Sequence, residues 1–127
     1  MDYQFKKHYT RDEARALLPR IRQWLTSLCK LRARLSECDQ RLAVLLANGN
    51  DAGGDVVHQW VRIWAETKQI LGEFQKREIQ VKDIDRGLID FPAIISGREV
   101  FLCWEQDEED IEFWHDLESG YAGRERL

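Results

Sequence analysis

Residues Thr10–Ala47 read TRDEARALLPRIRQWLTSLCKLRARLSECDQRLAVLLA, and this stretch decides the fold. Leu17, Ile21, Trp24, Leu28, Leu31, Leu35, Cys38, Leu42 and Leu45 recur at alternating spacings of four and three, a sustained heptad seam. Thr10 followed by Glu13 forms a capping box: the threonine hydroxyl accepts from the Glu13 amide while the glutamate reaches back. Together these predict one helix from Thr10 to about Ala47. Pro19 falls near its start, where it removes a hydrogen bond and bends the first turns. Leu18, Leu25, Cys29 and Leu46 widen the seam, so the helix is expected to meet more than one neighbour.

Outward from this helix, Asn48 to Asp55 is a loop by composition, with Asp55 the expected N-cap of a second helix. That helix is expected from about Val56 to Ile79, with Val57, Trp60, Ile63, Trp64, Thr67, Ile70, Leu71 and Phe74 on its apolar face. A short loop between two long helices makes them antiparallel neighbours. Arg34 and Arg41 flank the first seam, and Glu66 and Glu73 flank the second at the same interval. Antiparallel pairing then predicts Arg41–Glu66 and Arg34–Glu73 as ion pairs spanning the hairpin, each worth about 0.2–1 kcal/mol.

After Val81 the helical period stops. Gly87–Pro92 and Ala93–Ile95 read as extended chain, Gly97 as a turn, and Glu99–Trp104 as a strand. Gln106–Glu112 is an acidic loop or short helical turn, and Phe113–His115 extends again before Gly120 and Gly123. Tyr3 and Phe5, with His8 and Tyr9, suggest a short edge strand. The expected fold is α+β, mostly α. A long, coiled-coil-like antiparallel hairpin occupies about 10–81, and a small antiparallel sheet comes mainly from about 82–127, all within a single domain 1–127.

With 127 residues, 43% hydrophobic and 33% charged, the composition is globular rather than disordered. No apolar run approaches the roughly 20 residues that span a bilayer, and the first residues lack a signal peptide's apolar stretch, so a cytoplasmic protein is expected. Cys29, Cys38 and Cys103 form no C-x-x-C pair. Cys29 and Cys38 would lie about 13 Å apart along the helix, too far for a disulfide, which fits reduced thiols. Charge is uneven along the chain: residues 1–48 carry ten Lys/Arg against five Asp/Glu, and residues 82–127 carry five against thirteen. A basic helix could meet nucleic acid, with Arg11, Arg15 and Arg22 as a stripe, but neutralisation within the chain or between copies is the plainer account of the charge, and a solvated face that of the stripe.

Candidate chemistry concentrates in that acidic block. His115 and Glu118, with Asp90 from another strand, offer a metal-ligand set of mixed nitrogen and oxygen donors. Asp83, Asp90, His115 and Arg124 are the candidate ligand-binding residues, since a glycine-flanked arginine can grip a carboxylate or phosphate with two hydrogen bonds. Each has a plainer alternative: a packed histidine, an arginine paired within its own block, and Asp83 or Asp85 closing a turn at Gly87. An EF-hand is excluded because Gly87 and Ile94 fall where a calcium loop from Asp83 needs a ligand and a glutamate. Cys103, between Leu102 and Trp104, reads as a buried thiol rather than a nucleophile. No cofactor follows from these patterns.

Several motifs carry a resemblance. Lys82-Asp83, Gly87-Leu88-Ile89-Asp90-Phe91-Pro92, Gly97-Arg98-Glu99-Val100, Leu102-Cys103-Trp104, Phe113-Trp114-His115 and Gly120-Tyr121-Ala122-Gly123-Arg124 occur in order. They follow an opening Tyr9-Thr10-x-x-Glu13-Ala14-x-x-Leu17-Leu18-Pro19. The set resembles the bacterial family called domain of unknown function 2203 over nearly the whole chain. The resemblance implies no reaction, cofactor or catalytic residue. The leading expectation is a non-enzymatic interaction or assembly module. The surplus apolar residues Leu18, Trp24, Leu25, Trp60 and Trp64 would give the hairpin a second surface for self-association or a protein partner. The alternative is a small-ligand or metal-binding domain, a hydrolase among its forms, with its site in the C-terminal third.

Overall fold

The computed structural model describes residues 2–49 and 54–127. Helix α1 spans Arg11–Ala47, and its capping box is formed: the Glu13 amide donates to Thr10 Oγ1 at 3.1 Å, and the Thr10 amide donates to Glu13 Oε1 at 3.0 Å. Helix α2 spans Gly54–Gln75, so Asp55 lies in its first turn instead of capping it, where its charge still suits the helix dipole. The helix ends four residues earlier than expected. Glu78 adopts φ 59°, and the Ile79 amide turns back to the Phe74 carbonyl at 3.1 Å, closing a left-handed C-terminal turn.

The rest is one antiparallel sheet in sequential order: β1 Gln80–Asp83, β2 Leu88–Ile95, β3 Arg98–Trp104, β4 Phe113–Asp116 and β5 Glu125–Arg126. The two extended pieces expected around Pro92 are thus a single strand. Pro92 is tolerated because β1 ends before reaching it; its free carbonyl accepts from the Tyr9 amide at 2.7 Å. Ser96 and Gly97, with φ of 51° and 78°, make the two-residue turn between Ile95 and Arg98. The expected strand at Tyr3–Phe5 does not form. The Gln4 and Phe5 amides donate to the Glu99 carboxylate at 2.8 and 3.0 Å, so a side chain takes the bonds a neighbouring strand would have used.

The two faces of the sheet differ in kind. Ile89, Phe91, Ala93, Val100, Leu102 and Trp104 face the helices and join Ala14, Leu18, Ile21, Leu25, Leu28 and Phe74 in the main core. Trp24 meets Phe74 edge to face at 5.0 Å. Leu18, Trp24 and Leu25, expected as surplus, therefore belong to this core, because the sheet is the second neighbour of α1. Leu46 is exposed. Farther out, among the described residues, the hairpin buries Leu31, Cys38, Val56 and Ile63 as a second cluster.

The helices are antiparallel neighbours, but the expected register is wrong by one heptad. Arg34 faces Glu66 at 3.9 Å, and Arg41 donates to Gln59 at 3.1 Å. Glu73 instead holds Lys76 and Arg77 on its own helix, at 2.9 and 2.7 Å. A seam that repeats every seven residues leaves charge pairs unable to choose between registers; the seating of Phe74 against Trp24 chooses for them.

Candidate functional site

Antiparallel pairing places Asp90 opposite Cys103 and Phe101 opposite His115, all on the sheet face turned away from the helices. There Asp90 and His115 meet. His115 Nε2 lies 3.0 Å from Asp90 Oδ2, and both residues are 2% exposed. His115 Nδ1 lies 2.6 Å from the Asp116 carbonyl oxygen. A carbonyl can only accept, so Nδ1 carries hydrogen and Nε2 is the nitrogen turned to the carboxylate. One proton is then shared between Nε2 and Oδ2. The second oxygen, Asp90 Oδ1, is buried with no hydrogen-bond partner among the described residues.

Cys103, fully buried, completes a cluster: one ligand atom each from Asp90, Cys103 and His115 all lie within 4.8 Å of one another. Burial pushes the Asp90 carboxyl above its ordinary range, against the pull of His115. Burial, with the Asp90 charge beside it, pushes the Cys103 thiol up to about 12. Its burial agrees with the reading of a buried thiol from sequence. A recess of about 290 Å³ opens beside the Asp90–His115 pair, with Lys82, Phe101, Glu118 and Tyr121 around it. Lys82 Nζ lies 5.6 Å from the centre of the Phe101 ring.

The other expected site residues divide. Glu118 stands at the recess but is exposed and outside the close cluster, so Cys103 takes the third place expected for it. Arg124 touches the cluster from behind, 3.9 Å from Cys103 Sγ, with both its terminal nitrogens on the Glu108 carboxylate at 3.2 and 2.7 Å. Its grip is satisfied within its own acidic block. Asp83 lies apart and accepts from the Arg86 amide at 3.1 Å, the turn-closing role weighed for it. Cys103 could have been placed with Asp90 from sequence only by aligning the two strands around the Ser96–Gly97 turn.

Four α1 arginines meet the acidic block. Arg11 and Arg15 hold Asp110 at 3.3 and 2.8 Å, Arg22 donates to the carbonyls of Gln106 and Glu108, and Arg32 holds Asp85 at 2.7 Å. The basic helix and the acidic block are thereby paired within one chain.

A second candidate lies on the flank of α2. Val57, Trp60, Val61 and Trp64 are exposed by 40, 38, 52 and 43%, and they follow helical spacing along one stripe. Trp60 and Trp64 stack edge to face with ring centres 6.2 Å apart. Ile63, expected on the apolar face of α2, faces α1, joined there by Val56. Val57, Trp60 and Trp64, expected on the same face, stand beside that seam, the two tryptophans in keeping with their reading as surplus apolar residues.

No helix among the described residues is long and apolar enough to cross a membrane. No curated protein and no solved structure matches the chain. One family model does, over residues 7–127, described as "Uncharacterized conserved protein (DUF2203)". With the match running from before the capping box through the last strand, the chain belongs to the family of domain of unknown function 2203.

Proposed function

We propose that the chain is an assembly module that forms a twofold dimer, with α2 packed antiparallel against α2 of a second copy. The observation that carries this is the exposed stripe Val57–Trp60–Val61–Trp64, two tryptophans and two valines at one helical face. Exposed tryptophan is unfavourable in water, and contiguous apolar stripes of this kind mark association surfaces. The stripe is also its own complement. A twofold axis at its middle, between Trp60 and Val61, sets each Trp64 against Val57 of the second copy. The same patch then serves both copies, as an isologous interface requires.

Sedimentation equilibrium on the full chain tests this reading. The expected mass is twice the 15.0 kDa of one chain. Val57 is exposed, so Val57→Glu leaves the fold intact while setting a charge against Trp64 of the second copy. That variant, and Trp64→Glu, are expected to sediment as monomers with unchanged circular dichroism. A monomeric wild-type protein, or a dimer indifferent to both substitutions, would overturn the proposal.

A further inference from the structure

We infer that Asp90, Cys103 and His115 form a binding site for a divalent transition-metal ion of the zinc class, on the outer face of the sheet. Three observations converge on this. The donors are one carboxylate oxygen, one sulfur and one imidazole nitrogen, all within 4.8 Å of one another. Nitrogen and sulfur donors together select zinc and its late first-row neighbours over calcium or magnesium, which take oxygen. All three residues are supplied by adjacent strands, β2, β3 and β4, so the backbone ladder fixes their spacing.

The second observation is Asp90 Oδ1, a carboxylate oxygen buried to 2% residue exposure with no hydrogen-bond partner among the described residues. Leaving such an atom unpaired is costly, and a cation is the partner that the surrounding donors would accept. The third is the orientation of His115. Its Nδ1 hydrogen bond to the Asp116 carbonyl, at 2.6 Å, fixes the ring with Nε2 directed at the cluster. Metal-binding histidines are held in this way, by a backbone carbonyl or carboxylate on the far nitrogen.

The charges balance. Without metal, one proton lies between His115 and Asp90 and one on the Cys103 sulfur. A divalent ion replaces both, leaving a carboxylate, a thiolate and a neutral imidazole around two positive charges. The buried cluster is neutral in either state, and binding releases two protons. Arg124 stands 3.9 Å from the sulfur and favours the thiolate, while its own charge is met by Glu108. With three protein donors, a fourth position remains on the side of the recess, where Glu118 or water can reach it. The site belongs to the sheet and does not depend on dimer formation through α2.

Cobalt(II) is the probe, because thiolate coordination gives it an intense near-ultraviolet charge-transfer band. The full chain, stripped with chelator, is expected to take up one equivalent with that band, and zinc is expected to displace it. Cys29→Ser/Cys38→Ala leaves Cys103 as the only thiol and is expected to keep the band; Cys103→Ser is expected to lose it. Asp90→Asn, which keeps a partner for His115, is expected to weaken uptake. Absence of the band in wild type, its loss in the double variant, or uptake unchanged in both Cys103→Ser and Asp90→Asn would overturn the assignment. If Cys103→Ser does not fold, the wild-type and double-variant spectra still decide the matter.

Discussion

The base of the hairpin and its far end are cut from the same two helices with the same heptad spacing, yet they are packed differently. At the base, α1 and α2 lie on the sheet, and Ala14, Leu18, Ile21, Leu25, Leu28 and Phe74 are buried in a continuous core. At the far end, among the described residues, the buried cluster is Leu31, Cys38, Val56 and Ile63, while Trp60, Trp64 and Val61 stand in solvent. Periodicity tells that a helix has an apolar face; it does not tell how many neighbours cover it. The sheet is the third partner at the base, and on the proposed reading a second copy of the chain supplies it at the far end.

Truncation in the core sharpens the contrast most. Phe74→Ala removes a 2%-exposed ring beneath the sheet and is expected to cost about 3–5 kcal/mol. Ile63→Ala, in the thin seam beyond, is expected to cost about 2 kcal/mol, the low end for such a change, because a two-helix seam collapses more readily around the gap. Urea unfolding of both variants, made in the Val57→Glu background to keep dimer formation out of the comparison, gives the two values. Equal losses would mean that the far end is packed as tightly as the base.

The same contrast recurs across the sheet, with an apolar face toward the helices and a polar cluster on the other. Asp90→Ala strands His115 in a buried site and is expected to destabilise the metal-free protein by about 3 kcal/mol. Replacing both members together, Asp90→Leu with His115→Phe, should recover most of that loss, since a buried ion pair exchanged for apolar groups is close to neutral. Failure of the double variant to recover would show that the cluster's shape, rather than its charge, holds this face.

Cys103 gives a smaller, pH-dependent effect. Its thiol titrates near 9.0 in the unfolded chain and is pushed up to about 12 in the fold. The folded protein therefore keeps a proton that the unfolded chain gives up. Stability is complete below pH 9 and declines as pH rises from there toward 12. Denaturant titrations of metal-free protein across that range should show the decline, and Cys103→Ala should flatten it.

What could be read from the residues follows how local the cause was. The α1 capping box and seam are local, and both stand as expected from Thr10 to Ala47. Strands β2 and β3 were visible because a glycine turn and apolar runs mark them. Strands β1 and β5 were not, since Gln80–Asp83 and Glu125–Arg126 are short and carry polar residues on both faces. Asp90 and His115 were identifiable by type, but their meeting depends on the pairing of three strands. That same pairing brings Cys103 in and leaves Glu118 at the rim. Asp83 and Arg124 show the converse: suggestive residues whose bonds are satisfied nearby, by Arg86 and Glu108.

The smallest effect bears on register. Arg34 and Glu66 are both about half exposed and 3.9 Å apart, so their coupling is expected at only about 0.2–0.5 kcal/mol and should vanish in high salt. A double-mutant cycle on Arg34→Ala and Glu66→Ala measures it, and the cycles on Arg34 with Glu73 and on Arg41 with Glu66 should read zero. The pattern matters more than the size. A coupling found only for the first pair would tie the far end to the register set at the base. Equal weak couplings in all three cycles would mean that this end of the hairpin slides by a heptad, which the heptad spacing by itself does nothing to prevent.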